Sequence, residues 1–135
     1  MRFMDELKNA ILKEDFYETN DVIKKIEKES NAFEYLPLIF EIMEKYPEID
    51  YGMPGPIVHF MERYYKKGYE GVLLKSVQNM PTVHTVWMLN RVLNDSNLSN
   101  REVYMEVLRS SLNRSNISPT VRKDIQSFLE YQQKK

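Results

Sequence analysis

The sequence predicts an all-α protein, and three observations carry that prediction. Apolar residues recur at helical spacing along the whole chain. No run rich in Val, Ile and Thr alternates for long enough to demand a strand. Four glycines and six prolines fall mostly between the periodic segments, where helices would start and stop. A chain of 135 residues is read as one domain spanning 1–135. At that size a fold buries about two-thirds of its unfolded surface, enough for a core without staples.

About eight helices are expected. The first, about 2–13, carries Phe3, Leu7 and Ile11 at i, i+4 and i+8. The second, about 16–30, turns Val22, Ile23 and Ile26 inward and has a charged back of Lys24, Lys25, Glu27 and Lys28, with Asn31 ending it. The third, about 34–46, holds Leu36, Ile39, Phe40 and Met43 and is stopped by Pro47. A loop with Gly52, Pro54 and Gly55 follows, and Pro56 suits the first turn of a helix over about 55–67 that Gly68 closes. Helices over about 69–79, 82–94 and 100–114 come next. Pro81 opens the second of these, and Ser99 with Glu102 has the capping-box spacing for the third. The last helix opens at Ser118-Pro119 and runs to about 131, leaving Gln132, Gln133, Lys134 and Lys135 to fray.

A repeat organises the later helices. Tyr35, Tyr69 and Val103 are spaced by 34 residues and 34 again, as are Ile39, Leu73 and Val107, and Phe40, Leu74 and Leu108. Met43, Val77 and Ser111 form a fourth column. The partner helices start at Pro56-Ile57-Val58, Pro81-Thr82-Val83 and Pro119-Thr120-Val121. Helix pairs of this length cannot bury their faces alone. The expected architecture is therefore an N-terminal pair over 1–31 and three stacked antiparallel pairs over 34–132, as a short HEAT- or TPR-like α-solenoid or an irregular α bundle.

Composition removes several function classes. With no cysteine there is no disulfide, thiolate metal site or cysteine nucleophile. That fits a cytoplasmic protein. Apolar runs of a few residues are too short to cross a bilayer, and the segment MRFMDELKNAILKEDF reads as an amphipathic helix rather than a signal peptide. Net charge is −1, but it is unevenly spread. Residues 1–50 hold 13 acidic and 7 basic side chains, a net of −6, and residues 51–135 hold 7 and 12, a net of +5. Such a dipolar chain can steer a charged partner, although solvated helix faces give the same count. A whole-chain pI near 6.2 argues against a general nucleic-acid binder.

No catalytic or cofactor motif stands out, so no enzyme, cofactor or metal is expected. His59 and His84 each lie three residues after a helix-opening proline, with Arg122 in the third slot. A metal site needs three or four suitable ligands, and only Glu62 lies a turn from either histidine. The loop IDYGMPGPIVHF precedes a helix N-terminus but lacks GxxxxGK[ST] and GxGxxG, so it reads as a rigid turn or a recognition loop bearing Asp50 and Tyr51. The carboxylates Glu41, Glu44 and Glu48 read as solvated or as an acidic docking surface. His84, Trp87, Arg91 and Asn94 share a face apart from the core stripe Val83, Val86, Leu89 and Leu93. Trp beside Arg is a residue set that dominates interfaces, but tryptophan is mostly buried on average, so the pattern favours Trp87 packed under a neighbouring pair. Arg91, Arg101, Arg109, Arg114, Arg122 and Lys123 are the residues a nucleic-acid reading would use.

The segments MPGPIVHFME and PTVHTVWMLNRVLN, within residues 51–95, resemble those of small all-helical immunity proteins encoded beside bacterial polymorphic or contact-dependent toxins. The resemblance implies a cytoplasmic protein that neutralises a cognate toxin domain, often a nuclease, by binding and occluding it, with no turnover and no cofactor. It transfers no binding residue. The alternative is a helical-repeat adaptor or scaffold for protein–protein interaction. For either, the residues expected to meet a partner are Glu41, Glu44, Glu48, Asp50 and Tyr51, with Trp87 and Arg91 as a second patch.

Overall fold

The computed structural model describes residues 1–134. Among these lie eight α-helices and no strand: α1 (Met4–Leu12), α2 (Phe16–Glu27), α3 (Tyr35–Lys45), α4 (Pro56–Glu62), α5 (Tyr69–Asn79), α6 (Val83–Leu93), α7 (Arg101–Ser111) and α8 (Pro119–Gln133). A 3-10 turn, Ala32–Glu34, leads into α3. The protein is all-α. It divides into two compact units, Met1–Tyr69 and Glu70–Lys135. The expected N-terminal pair and the first repeat pair fall in the first unit, and the other two pairs fall in the second.

In the first unit α1 packs on α2, and α2 on α4. The core is built from the stripes that helical spacing picks out: Leu7 and Ile11, then Val22, Ile23 and Ile26, then Leu36, Ile39, Phe40 and Met43, then Ile57, Phe60 and Met61, all buried. Tyr35 is buried and its hydroxyl accepts the backbone N–H of Phe3 at 3.1 Å, tying down the start of α1. The second helix ends at Glu27, short of the expected residue 30, because the chain turns into the 3-10 turn over residues 32–34. The α4 helix also ends early, at Glu62 rather than about 67. Beyond it Arg63, Tyr64 and Tyr65 bond three residues back, and Lys66 and Gly68 take left-handed conformations. This unwinding sets the Tyr64 ring edge-on to Phe33, at 5.4 Å, and to Phe60, at 5.8 Å. Gly68 is required there, since a Cβ would lie 2.9 Å from the Phe33 ring.

In the second unit α6, α7 and α8 pack on one another. The Thr82 and Thr85 hydroxyls form a reciprocal capping box at the start of α6. Thr82 is thus the cap, and Pro81 lies one residue outside it. Ser118 caps α8, accepting Val121 N–H at 3.1 Å, and Pro119 takes the first turn as expected. The expected Ser99–Glu102 box at α7 does not form. Asn100 is the N-cap residue in a left-handed conformation, φ 57°, with no side-chain cap bond, and Glu102 pairs with Arg109 instead. Asparagine tolerates that conformation better than most residues.

The 34-residue columns are buried at Ile39, Leu73 and Val107 and at Met43, Val77 and Ser111. Val103 breaks its column, at 54% exposed. It lies five residues before the buried Leu108, about 140° around the helix at 100° per residue, so it points away from the stripe of Met105 and Leu108. Gln132, expected to fray, is 2% exposed and held by several hydrogen bonds, and the α8 helix runs on to Gln133. The last expected fraying residue, Lys135, lies outside the described residues.

Candidate functional site

The first unit has one edge where chain reversal, charge and exposed aromatics coincide. It starts at the corner between α1 and α2. Glu14 turns left-handed, φ 57°, and Asp15 caps α2 by accepting the Glu18 N–H at 2.9 Å. Because α2 turns Thr19, Val22, Ile23 and Ile26 inward, the residues before them in the first turn point outward. Tyr17 is 89% exposed, and Phe16 and Leu12 are also exposed.

The loop between α3 and α4 lies against this corner. The Asp50 N–H donates to Glu14 Oε1 at 2.7 Å, and the Gly52 N–H donates to Asp50 Oδ1 at 2.8 Å. Tyr51 is buried, and its hydroxyl donates to the carbonyls of Tyr46, at 2.8 Å, and Ile42, at 3.3 Å. Burial raises the Tyr51 pKa above its ordinary value of 10.0, and the nearby Glu48 and Glu14 carboxylates raise it further. Tyr51 therefore anchors the loop from inside and offers no surface for contact. Gly52, at φ +80°, and Gly55, whose added Cβ would lie 2.4 Å from the Tyr51 carbonyl oxygen, let the loop turn tightly. Met53 stands exposed at its tip.

A cleft between corner and loop is lined by Ile11, Glu14, Phe16, Thr19, Asp50, Tyr51, Pro56 and Ile57. It offers about 10 Å³, room for one water, whereas small-molecule sites run to about 300–1,000 Å³. The edge is therefore a surface rather than a pocket. It carries Glu14, Asp15, Glu18, Glu48 and Asp50, with Lys13 paired to Glu18 at 3.1 Å.

Of the residues expected to meet a partner, Glu48 and Asp50 belong to this edge, and Tyr51 lies beneath it. Glu41 is exposed and Glu44 half-buried, one turn apart on α3. Trp87 and Arg91 are in the second unit, half-buried on α6, with the guanidinium 4.9 Å from the ring centroid. The exposed ring of Tyr17 was missed by sequence reasoning. A helical wheel would have found it, since Tyr17 lies about 140° from Val22.

In the second unit the arginines are engaged within the chain. Arg114 donates to the Gln78 carbonyl at 2.6 Å, Arg101 to the Leu93 carbonyl at 2.6 Å, and Arg122 to the Leu112 carbonyl at 2.8 Å. These carbonyls stand at the C-terminal ends of α5, α6 and α7, where free carbonyls and the helix dipole favour a cation. Arg109 is paired with Glu102 and Glu106, which raises its pKa. An open groove of about 430 Å³ runs along α7 between Gln78, Glu102, Val103, Glu106, Val107 and Ser110. His59 is exposed on α4 and His84 is buried on α6. Among the described residues no three His, Cys, Asp or Glu side chains could share a metal ion, and no helix is long and apolar enough to cross a membrane.

Comparison with family models, curated proteins and solved structures finds no match to this chain.

Proposed function

We propose that this is an immunity-type binding protein, acting in the cytoplasm, that neutralises a cognate bacterial toxin domain by covering its working surface. One observation carries the reading: the exposed Phe16 and Tyr17 open α2 at a corner bearing Glu14, Asp15 and Glu18, and the loop tied to that corner by the Asp50–Glu14 bond bears Glu48, Asp50 and the exposed Met53. Exposed aromatic anchors ringed by charge are the composition of a protein interface. The acidic surplus would speed encounter with a basic partner, and a nuclease that grips phosphates presents such a face. The engagement of Arg101, Arg114 and Arg122 with helix-end carbonyls, and of Arg109 with Glu102 and Glu106, supports a protein partner over nucleic acid. The protein would act by occupancy, without turnover or cofactor.

A tagged copy recovered from its native cells tests this. Stoichiometric co-elution of a secreted-type protein or its C-terminal fragment is expected, together with protection of cells that express that fragment. Recovery of housekeeping complexes only, or a captured protein that is harmless when expressed alone, refutes it. The open groove along α7, with its exposed Val103, favours a second reading as a helical adaptor, for which capture of housekeeping complexes would be the expected result.

A further inference from the structure

We propose that Tyr17, with Phe16 beside it and Met53 at the tip of the neighbouring loop, is the seat for an arginine-bearing segment of a cationic protein partner. The inference rests on reading the protein as a partner-binding module, and it names the chemistry of that partner.

Tyr17 offers both faces of its ring, since it is 89% exposed at the first turn of α2. The residues around it in sequence and across the corner are acidic: Glu14, Asp15 and Glu18 on its own segment, and Glu48 and Asp50 on the loop. The one basic neighbour at the corner, Lys13, is paired with Glu18. A ring beside a surplus of carboxylates favours a cation, through the ring's negative face and through charge attraction. Arginine fits better than lysine for two reasons. Its planar guanidinium stacks on an aromatic face while its N–H groups still reach carboxylates, and it gives up its hydration more readily than an ammonium. The carboxylates are also set in place beforehand. Glu14 is held by the Asp50 N–H, Asp15 by the Glu18 N–H and Asp50 by the Gly52 N–H, so binding orders few of them. The Leu12, Phe16 and Met53 side chains supply apolar area for the arginine stem and its neighbours.

The probes are hexa-arginine and hexa-lysine peptides titrated into the full chain at low ionic strength and followed by amide chemical shifts. Shifts confined to residues 14–18 and 50–54 are expected, with hexa-arginine binding at least about threefold more tightly than hexa-lysine. Tyr17→Ala should weaken hexa-arginine binding about three- to fivefold, whereas Tyr17→Phe, which keeps the ring, should stay within about twofold of the parent. Tyr131→Ala, at an exposed tyrosine of the second unit, should leave binding unchanged. Shifts centred on other residues, equal affinity for the two peptides, or indifference to Tyr17→Ala would each overturn the proposal. So would shifts at this edge that grow with the concentration of the free protein, because the occupant would then be the second unit of another copy, which carries a net of +3. Failure of the immunity reading is distinct: a captured toxin whose binding ignores Tyr17→Ala sinks the arginine seat and leaves immunity standing, and an intact seat without any toxin partner does the reverse.

Discussion

Replacing Gln132 with alanine removes the centre of a polar network in the second unit. Its Nε2 donates to Asn90 Oδ1 at 2.7 Å and Asn94 Oδ1 at 2.9 Å, and its Oε1 accepts from Arg101 at 2.9 Å. Asn94 is exposed, so water replaces that bond at little cost. Asn90 and Arg101 are half-buried. A lost neutral bond costs about 1 kcal/mol and one to a charged donor about 2 kcal/mol. Arg101 keeps its bonds to the carbonyls of Leu93 and of residue 132, which lowers the second figure. The expected loss is about 2–3 kcal/mol, read as a shift of about 1–2 M in the urea midpoint of the helical circular dichroism signal. Asn90→Ala in the same background should show coupling of about 1 kcal/mol. A loss under about 0.5 kcal/mol, or additive effects of the two substitutions, would refute the view that this network holds α8 in place.

Other outcomes concern the loop after α3 and the carboxylates of α3 and that loop. Gly55→Ala sets a Cβ 2.4 Å from a backbone oxygen that cannot swing away, so it should cost about 1–3 kcal/mol and increase amide exchange at Asp50 and Gly52, measured by hydrogen exchange. Because the folded-state pKa of Tyr51 is raised above 10.0, its contribution to stability is fully present below about pH 10 and is lost as pH rises further. Tyr51→Phe should flatten the fall in stability above pH 10 in denaturant titrations. Glu41, Glu44 and Glu48 changed together to lysine should slow association with a captured basic partner at least about tenfold at low salt and much less at high salt, by stopped-flow mixing. An on-rate unchanged by those substitutions would rule out steering by this surface.

The helices were legible in the sequence because burial forces a period on apolar residues. Val22, Ile23 and Ile26, or Leu36, Ile39, Phe40 and Met43, name their own faces. Their ends were less legible, because termini answer to contacts distant in the chain. The α4 helix stops where Tyr64 is drawn to Phe33, about thirty residues upstream, and no local pattern announces it. Val103 shows a repeat column failing where the helix rotates it away from the core. At the candidate site, the acidic character of Glu48 and Asp50 could be read directly. The burial of Tyr51 could not, since it depends on its hydroxyl reaching the Ile42 and Tyr46 carbonyls at the end of α3. The bond between Asp50 and Glu14 joins residues 36 positions apart and is invisible to spacing arguments.

The arginines that close α5, α6 and α7 share a direction. In every case the guanidinium comes from later in the chain than the helix end it closes: Arg114 for Gln78, Arg101 for Leu93 and Arg122 for Leu112. During synthesis α5, α6 and α7 are thus each made with the carboxyl end open, and the fastener arrives afterwards. The α8 helix, later in the chain, also brings Gln132 back to Asn90, 42 positions earlier. A nascent chain stalled before residue 122 would hold α7 without its clasp, which makes the start of α8 the latch for the helix before it.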